Sequence, residues 1–188
     1  RMAELIDIKE RITTRFLNYY SLEYRNRLGR VKQYEMVSKH RICNEEDLSG
    51  RANGVAMIVV LDGKLLLLKE FRMAVNHAIY NLPAGTLDEG EDTLVCLERE
   101  LLEETGLHVK KLHRLLPASY SAIDLTNAKA AVAILEAEGE LSDEFLTEDE
   151  EIVPVLFTKE EAENLLTSDQ LSARAQLAVY LFVNGTLI

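Results

Sequence analysis

The sequence GTLDEGEDTLVCLERELLEETGL, residues 85–107, predicts a glycine-led loop that feeds a helix rich in carboxylates. Asp92 is placed to cap the start of this helix, because its side chain can accept from the free N–H groups of the first turn. Gly106 is placed to end the helix in a left-handed conformation. At 100° per residue, one apolar stripe forms along the helix and predicts packing against a core. Its members are Leu94, Leu97 and Leu101.

Three glutamates border this stripe instead of facing away from it: Glu100, Glu103 and Glu104. Two carboxylates about 5 Å apart repel by roughly 3 kcal/mol at an effective dielectric near 20, so the cluster needs positive charge among its members. Arg99 is placed to pair with Glu103, four residues on, but one guanidinium does not balance three carboxylates. A hard divalent cation does, because carboxylate oxygens are its natural ligands. A solvated acidic surface explains the same residues without a metal.

The wider spacing decides between these two interpretations. After Gly85 come five residues and Glu91, then seven residues and Arg99-Glu100-Leu101, then Glu103-Glu104 and Gly106-Leu107. This arrangement resembles, without departure, the signature of the Nudix hydrolases, in which about nine positions are constrained. The resemblance is specific for the family and much less specific for the substrate.

The resemblance implies a metal-dependent hydrolase. Nudix enzymes cleave nucleoside diphosphates linked to another moiety, by attack of water on a diphosphate phosphorus. Divalent cations offset the negative charge of the diphosphate and lower the pKa of a bound water. All-oxygen sites suit hard ions, so Mg²⁺ is the expected cofactor, with Mn²⁺ as a substitute. The implied metal ligands are Glu100, Glu103, Glu104 and the backbone carbonyl of Ala84. Arg99 is expected to orient the glutamates and Glu91 to brace the loop.

The general base that activates the water has three candidates. In the branch of the family that hydrolyses ADP-ribose, a glutamate from a loop before a late strand has this role, and Glu148 occupies a matching position. Glu151 is the second candidate in the same loop. Glu103 resembles the base of other branches. A solvated acidic surface explains the acids of residues 136–151 without a catalytic role.

Two short stretches favour the ADP-ribose branch. The run KEFR, residues 69–72, followed by LPAG, residues 82–85, resembles the entry to the motif in that branch. Arg72 is then expected to bind the diphosphate or the terminal ribose. Asn81 departs from the branch, because an acid usually stands before the Leu-Pro-Ala-Gly run. The usual Ser-Pro-Gly after the motif is also absent, and Tyr120 lies at about that place. Tyr120 and Gly85 are therefore further candidates for substrate binding.

Residues 1–50 are predicted to form an N-terminal β segment ahead of a Nudix hydrolase domain at residues 51–188. Alternation of residue types predicts two strands around a turn at residues 28–30, whereas residues 2–12 fit either a helix or a strand. An extra N-terminal β segment is similar to the one that the ADP-ribose branch uses to build a dimer and close the adenine pocket, so a homodimer is expected. A segment that only covers a sheet edge explains these residues equally well.

The remaining pattern predicts an α/β fold. Asp62-Gly63 between two apolar runs, at residues 55–61 and 65–68, predicts a hairpin. This order suggests a mixed sheet with helices on both faces, which the resemblance identifies as the α/β/α Nudix sandwich. The other predicted strands are residues 78–82, 109–116 (ending at Pro117), 130–135 and 152–157, and the other predicted helices are residues 159–166 and 171–183.

Composition limits these interpretations. The 188 residues, 47% of them hydrophobic, suit one domain or one domain with a small appendage. The net charge of −11 argues against nucleic-acid binding as the main activity. Two cysteines, Cys43 and Cys96, favour a reduced cytoplasmic protein without disulfides. No apolar run is long enough to span a membrane, so no membrane partner is expected.

The leading hypothesis is Mg²⁺-dependent hydrolysis of nucleoside diphosphate sugars, with ADP-ribose giving AMP and ribose 5-phosphate. Another ADP-sugar, a dinucleotide or a GDP-sugar stays open as the substrate. An enzyme that removes oxidised nucleoside triphosphates is the second hypothesis, although such enzymes tend to lack the N-terminal β segment. A non-catalytic ligand-sensing domain on the same fold is the third, although such domains usually lose the helix glutamates.

Overall fold

Two β-sheets organise the chain in the computed structural model, which describes residues 2–146 and 151–187. The chain divides into two compact units. The first comprises Arg1–Asn53 and Ala118–Ala130, and the second comprises Gly54–Pro117 and Ala131–Ile188. The glutamate-rich helix lies in the second unit.

The first unit contains an antiparallel sheet with the strand order β1-β2-β3. Its strands are β1 (Ala3–Thr13), β2 (Asn18–Asn26) and β3 (Val31–Ser38). The two strands predicted around residues 28–30 are confirmed. Residues 2–12, which fit either a helix or a strand by sequence, belong almost entirely to strand β1.

The turn between β2 and β3 is held by Asn26, whose side-chain oxygen accepts from the backbone N–H groups of Leu28 and Arg30 at 2.9 and 3.0 Å. Gly29 has a φ of +78°, a left-handed conformation that glycine adopts without steric penalty. A small apolar core covers one face of this sheet. Its buried members are Tyr20, Leu22, Met36 and Ile42.

The second sheet has the strand order β10-β5-β4-β9-β8, with β6 paired to β5 and β7 paired to β4. The predicted hairpin is confirmed, since Asp62 and Gly63 both have positive φ between β4 and β5. The strands are β4 (Ala52–Leu61), β5 (Lys64–Arg72), β6 (His77–Asn81), β7 (Ala84–Thr86), β8 (His108–Tyr120), β9 (Lys129–Glu138) and β10 (Ile152–Phe157). The helices are α1 (Thr93–Thr105), α2 (Lys159–Leu165) and α3 (Ala173–Val183).

Helices cover both faces of this sheet, because successive strand residues point to opposite sides. The α/β/α sandwich with a mixed sheet and extra N-terminal strands is therefore confirmed. Each buried Val, Leu or Ile contributes roughly 1.5–3 kcal/mol, so the two layers supply most of the stability of this unit. On one face, Val55, Met57, Val59 and Leu66 pack with Cys96, Leu97 and Leu101 of α1. On the other, Ile58, Val60, Leu65 and Leu67 pack with Ala162 of α2 and with Ala175, Ala178, Val179 and Phe182 of α3.

Helix α1 begins and ends at the predicted residues. The side chain of Asp92 accepts from the N–H of Leu94 at 2.8 Å, and Gly106 ends the helix with a φ of +76°. The predicted apolar stripe is wrong at one position, because Leu94 is 46% exposed. Leu94 and the exposed Val95 lie in the first turn, which is not covered by the core, and Cys96 is buried instead.

The prediction that the strand after α1 ends at Pro117 is wrong, because β8 continues to Tyr120. Proline lacks a backbone donor, and it is tolerated in a strand whose N–H does not face a neighbouring strand. Strand β8 stands at the end of the strand order, where one side is free of such pairing within the described residues. Among residues 2–146 and 151–187, none of the helices has both the length and the apolar character needed to cross a membrane.

Two glycines allow a matched test of the end of α1. Gly106 and Gly90 have φ angles of +76° and +80°, but a Cβ on Gly106 would lie 2.7 Å from Cβ of Ser142, whereas no described atom lies within 4 Å of a Cβ on Gly90. We expect Gly90→Ala to lower the unfolding free energy by about 1 kcal/mol through backbone strain alone. Gly106→Ala should lower it by about 1 kcal/mol more, through the added clash. Urea denaturation measures both, and equal losses would contradict the close packing at Gly106.

Candidate active site

Arg99 ties the loop before α1 to the helix itself. Its Nε and Nη2 donate to the two carboxylate oxygens of Glu91, both at 2.9 Å, which is the two-pronged geometry that suits a guanidinium. Nη2 also donates to the carbonyl of Thr86 at 3.2 Å. Glu91 in turn accepts from the backbone N–H of Asp88 at 2.9 Å. The loop at residues 86–91 is therefore braced by a charged pair.

The same contacts shift the acid–base properties of this pair. The hydrogen bonds from Arg99 are the main cause that lowers the pKa of Glu91 to about 2, and the N–H of Asp88 adds to the effect. The hydrogen bond to Glu91 is also the main cause that raises the pKa of Arg99. Both groups are therefore charged throughout the neutral range.

Arg99 also contacts two of the three α1 glutamates that the sequence predicts as metal ligands. Its Nη1 donates to Glu100 at 2.8 Å and to Glu103 at 3.1 Å. The ion pair between Arg99 and Glu103 that the sequence allowed is present. The guanidinium thus offsets the mutual repulsion of Glu91, Glu100 and Glu103 in this structure.

Glu100 lies directly against the backbone of Gly85. A Cβ built on Gly85 would overlap Cγ, Cδ and Oε1 of Glu100. The contact does not depend on an unusual φ, because Gly85 has none in the left-handed range. The glycine that opens the motif therefore leaves the space in which the Glu100 side chain lies.

Glu104 is the most buried of the α1 glutamates, with 8% of its surface exposed. Its Oε2 accepts from the backbone N–H of Ala84 at 3.0 Å. A backbone donor to an ionised acceptor forms one of the stronger hydrogen bonds in proteins. The last turn of α1 is therefore joined to β7 through the backbone N–H of Ala84.

The carboxylates of α1 have the chemistry of a site for a hard cation. Glu103 and Glu104 follow Glu100 at intervals of three and four residues on the helix, and Gly85 leaves space for the side chain of Glu100. Carboxylate and carbonyl oxygens with retained waters are what Mg²⁺ prefers. Within residues 2–146 and 151–187, no group of three His, Cys, Asp or Glu side chains is arranged closely enough to hold a metal ion. Arg99 supplies the compensating positive charge in this arrangement.

Arg72 lies on the same face of the sheet as α1. Residues two apart on a strand share a face, and Leu66 of β5 packs with the core beneath α1. Glu70 and Arg72 follow Leu66 at intervals of four and six residues, so they have the same orientation. Nη1 of Arg72 lies 3.6 Å from Oε2 of Glu70. Glu70 was not among the site residues predicted from sequence, although its position two residues before Arg72 was the available signal.

The other predicted site residues lie elsewhere. Glu151 is exposed, its carbonyl accepts from the N–H of Phe71 at 3.3 Å, and it lines a surface cavity of about 570 Å³. Glu148 lies outside the described residues. Tyr120 belongs to the first unit, where its hydroxyl donates to the carbonyl of Ser49 at 3.0 Å and Lys129 lies over its ring.

The contact between Gly85 and Glu100 can be tested by a double-mutant cycle. We expect Gly85→Ala to lower the unfolding free energy by about 1–3 kcal/mol, because the new methyl group overlaps Glu100. In a Glu100→Ala background the same change should lower it by less than half as much, because the obstructing atoms are gone. Urea denaturation of the four proteins gives the coupling. Additive losses would show that the two residues do not share this space.

The pair of Glu91 and Arg99 predicts a pH dependence of stability. The folded pKa of Glu91, about 2, lies below the ordinary value of 4.5, so the folded chain binds this proton more weakly than the unfolded chain does. The stabilisation is therefore complete above pH 4.5 and is lost as the pH falls toward 2. We expect Glu91→Gln to be less stable than the parent at neutral pH, with the difference shrinking between pH 4.5 and pH 2.

Urea denaturation across this pH range measures the difference for Glu91. Glu89→Gln is the control, since it removes the same charge from the same loop at an exposed residue. A stability difference between the parent and Glu91→Gln that is constant down to pH 2 would contradict the assignment.

Comparisons with known proteins show which family the chain belongs to. A family model described as the NUDIX domain matches residues 50–178. An ADP-ribose pyrophosphatase of Bacillus subtilis (strain 168) is 30% identical over 131 residues, which cover 69% of this chain and 70% of that protein. An ADP-ribose pyrophosphatase of Saccharomyces cerevisiae (strain ATCC 204508 / S288c) is 27% identical over 144 residues, which cover 73% of this chain and 60% of that protein.

A likeness in fold accompanies the likeness in sequence. A crystal structure described as an ADP compounds hydrolase has a TM-score of 0.78, with 19% identity, over 98% of this chain and 94% of that chain. The match to the family model includes the loop at Gly85 and the whole of α1 with its glutamates. The resemblance to ADP-ribose pyrophosphatases is confirmed, and the chain belongs to the Nudix family as a Nudix pyrophosphohydrolase.

Proposed function

We propose that this protein hydrolyses the diphosphate bond of nucleoside diphosphate sugars with Mg²⁺, and that its substrate is ADP-ribose. Water attacks a diphosphate phosphorus, the bridging P–O bond breaks, and AMP and ribose 5-phosphate leave. The proposal rests on the three glutamates of α1, Glu100, Glu103 and Glu104. Glu100 lies against the backbone of Gly85, and Glu104 accepts a hydrogen bond from the N–H of Ala84. The similarity to two ADP-ribose pyrophosphatases supports this choice of substrate.

The glutamates of α1 and the carbonyl of Ala84 are the proposed ligands of Mg²⁺, for which Mn²⁺ can substitute. A cation held there offsets the charge of the diphosphate and lowers the pKa of a bound water. Arg99 is proposed to position Glu100 and Glu103, and its contacts at 2.8 and 3.1 Å support this role. Gly85 is proposed to contact the substrate, on its place at the start of the motif.

The general base is proposed to come from the acidic loop before β10. Glu148 is the first choice, on its place in the sequence alone, and it lies outside the described residues. Glu151 is the second choice, on its place in the same loop before β10. Glu103 is the third, because it lies among the proposed metal ligands.

The substrate contacts outside α1 are proposed for Arg72 and Tyr120. Arg72 is exposed at the end of β5 and shares the sheet face of α1, which supports its binding the diphosphate or the terminal ribose. Tyr120 retains an exposed ring, which suits contact with the substrate.

A homodimer built on residues 1–50 belongs to the same proposal. It is supported by β1, which is at the edge of its sheet and exposes Ile6 and Ile12. A cytoplasmic location is supported by two unpaired cysteines.

The proposal is tested with a panel of ADP-ribose, ADP-glucose, GDP-mannose, a dinucleoside polyphosphate and an oxidised dGTP, with phosphate release measured after phosphatase treatment. We expect ADP-ribose to be hydrolysed with the highest kcat/KM, and only when Mg²⁺ or Mn²⁺ is added. Preference for oxidised dGTP would overturn the proposed substrate class. Light scattering of the same sample should give twice the mass of one chain, and a single-chain mass would contradict the dimer.

A matched pair of variants tests the metal ligands. Glu104→Gln keeps an oxygen that can accept from Ala84 but removes the charge, so we expect kcat to fall about 100-fold or more. Glu98→Gln makes the same change at an exposed residue of α1 and should leave kcat unchanged. Thermal unfolding of both variants confirms that they fold. Equal activity of the parent and Glu104→Gln would remove Glu104 from the metal site.

A further inference from the structure

A continuous line of polar contacts runs from the start of α3 across β6 to Arg72. The hydroxyl of Ser172 donates to Oδ1 of Asn81 at 2.7 Å, and Nδ2 of Asn81 donates to Oε1 of Glu70 at 2.7 Å. The second oxygen of Glu70 lies 3.6 Å from Nη1 of Arg72. We name Ser172, Asn81 and Glu70 the relay.

The direction of each hydrogen bond in the relay is determined by α3. Ser172 caps this helix, so its hydroxyl oxygen accepts from the N–H of Ala175 and its proton is left for Asn81. The amide of Asn81 must then present its oxygen to Ser172 and its NH₂ group to Glu70. An amide can satisfy a hydroxyl donor and a carboxylate acceptor at once, whereas a carboxylate at position 81 would face Glu70 with like charge.

The backbone holds the relay in place. The N–H of Tyr80 donates to the carbonyl of Gln170 at 2.7 Å, and the N–H of Ser172 donates to the carbonyl of Tyr80 at 3.1 Å. The residues just before α3 therefore extend along the outer edge of β6. Ser172 is anchored to the strand whose last residue, Asn81, it orients.

Glu70, the carboxylate of the relay, lies on the face of the sheet that α1 covers. Asn81 stands opposite Leu68 in the pairing of β6 with β5, and Glu70 and Arg72 follow Leu68 at two-residue steps. The side chain of Glu70 is 11% exposed, whereas that of Arg72 is 56% exposed. The largely buried carboxylate of Glu70 accepts from Asn81 with one oxygen and faces the exposed guanidinium of Arg72 with the other.

We propose that Glu70, held by Asn81 and Ser172, is a positioning residue that orients Arg72 for the diphosphate of the substrate. The inference rests on the proposed function, because it takes a nucleoside diphosphate as the ligand of Arg72. It also explains the departure at position 81. The acid expected before the Leu-Pro-Ala-Gly run is replaced by an amide, and the carboxylate stands on the neighbouring strand instead.

The test compares KM and kcat for ADP-ribose in the parent, Asn81→Asp, Arg72→Ala and the double variant. In Asn81→Asp, the new charge displaces Glu70 and releases Arg72, so KM should rise about tenfold with kcat within about twofold. In the Arg72→Ala background the same change should raise KM by less than twofold, because there is no guanidinium left to misplace. A structural role for Asn81 alone would give the same change in KM in both backgrounds, which would overturn the proposal.

Two further variants separate positioning from stability and charge. Asn76→Asp adds the same charge at an exposed residue of the same hairpin, and it should leave KM unchanged. The exchange Glu70→Gln with Asn81→Asp keeps a donor and an acceptor across the two strands. It should therefore recover the melting temperature of the parent while KM stays raised, because Arg72 then faces an amide. Recovery of both quantities would overturn the proposed role of the Glu70 charge.

Binding of ADP, measured by calorimetry in the same set of variants, separates this inference from the proposed function. If the parent hydrolyses ADP-ribose while Asn81→Asp and Arg72→Ala act independently in both assays, the relay fails and the function stands. If the parent hydrolyses none of the nucleotides while the two changes are coupled in ADP affinity, the relay stands and the function fails.

Discussion

The site depends on the ion pairs that the guanidinium of Arg99 makes. It contacts the carboxylates of Glu91, Glu100 and Glu103, so that one side chain both braces the loop and offsets the repulsion within the helix. Like charges this close on one helix face would otherwise oppose helix formation. The acidic residues are compatible with a folded α1 because the guanidinium of Arg99, from the same helix, lies among them.

The sheet gives this cluster its surroundings. Leu97 and Leu101 bury one side of α1 against β4 and β5, which leaves the glutamates beside the loop at Gly85. The same alternation that directs Leu66 into this core also directs Glu70 and Arg72 toward the α1 face. Packing and chemistry therefore follow from a single choice of strand register, since a shift by one residue would reverse every side chain.

The sequence was sufficient for features that depend on local chemistry. The caps of α1, the hairpin at Asp62-Gly63 and the two-sided sheet follow from residue type and spacing, and the structure confirms them. The exposure of Leu94 and the extension of β8 past Pro117 did not follow from sequence. Both depend on where the neighbouring elements end, which periodicity does not report. The bond between Glu104 and Ala84, and the pairing of Asn81 with Glu70, join residues distant in sequence and needed the folded register.

The pairing of Asn81 with Glu70 has a consequence for how such proteins are compared. Diagonal neighbours on adjacent strands lie roughly 7–8 Å apart, within reach of long side chains, so a charge lost from one strand can be regained by a substitution on the next. An alignment written in chain order scores such an exchange as the loss of the acid. A comparison by position in space scores the same exchange as a retained charge. Proteins that are left out of a family because they lack the acid at one sequence position would then be counted as members.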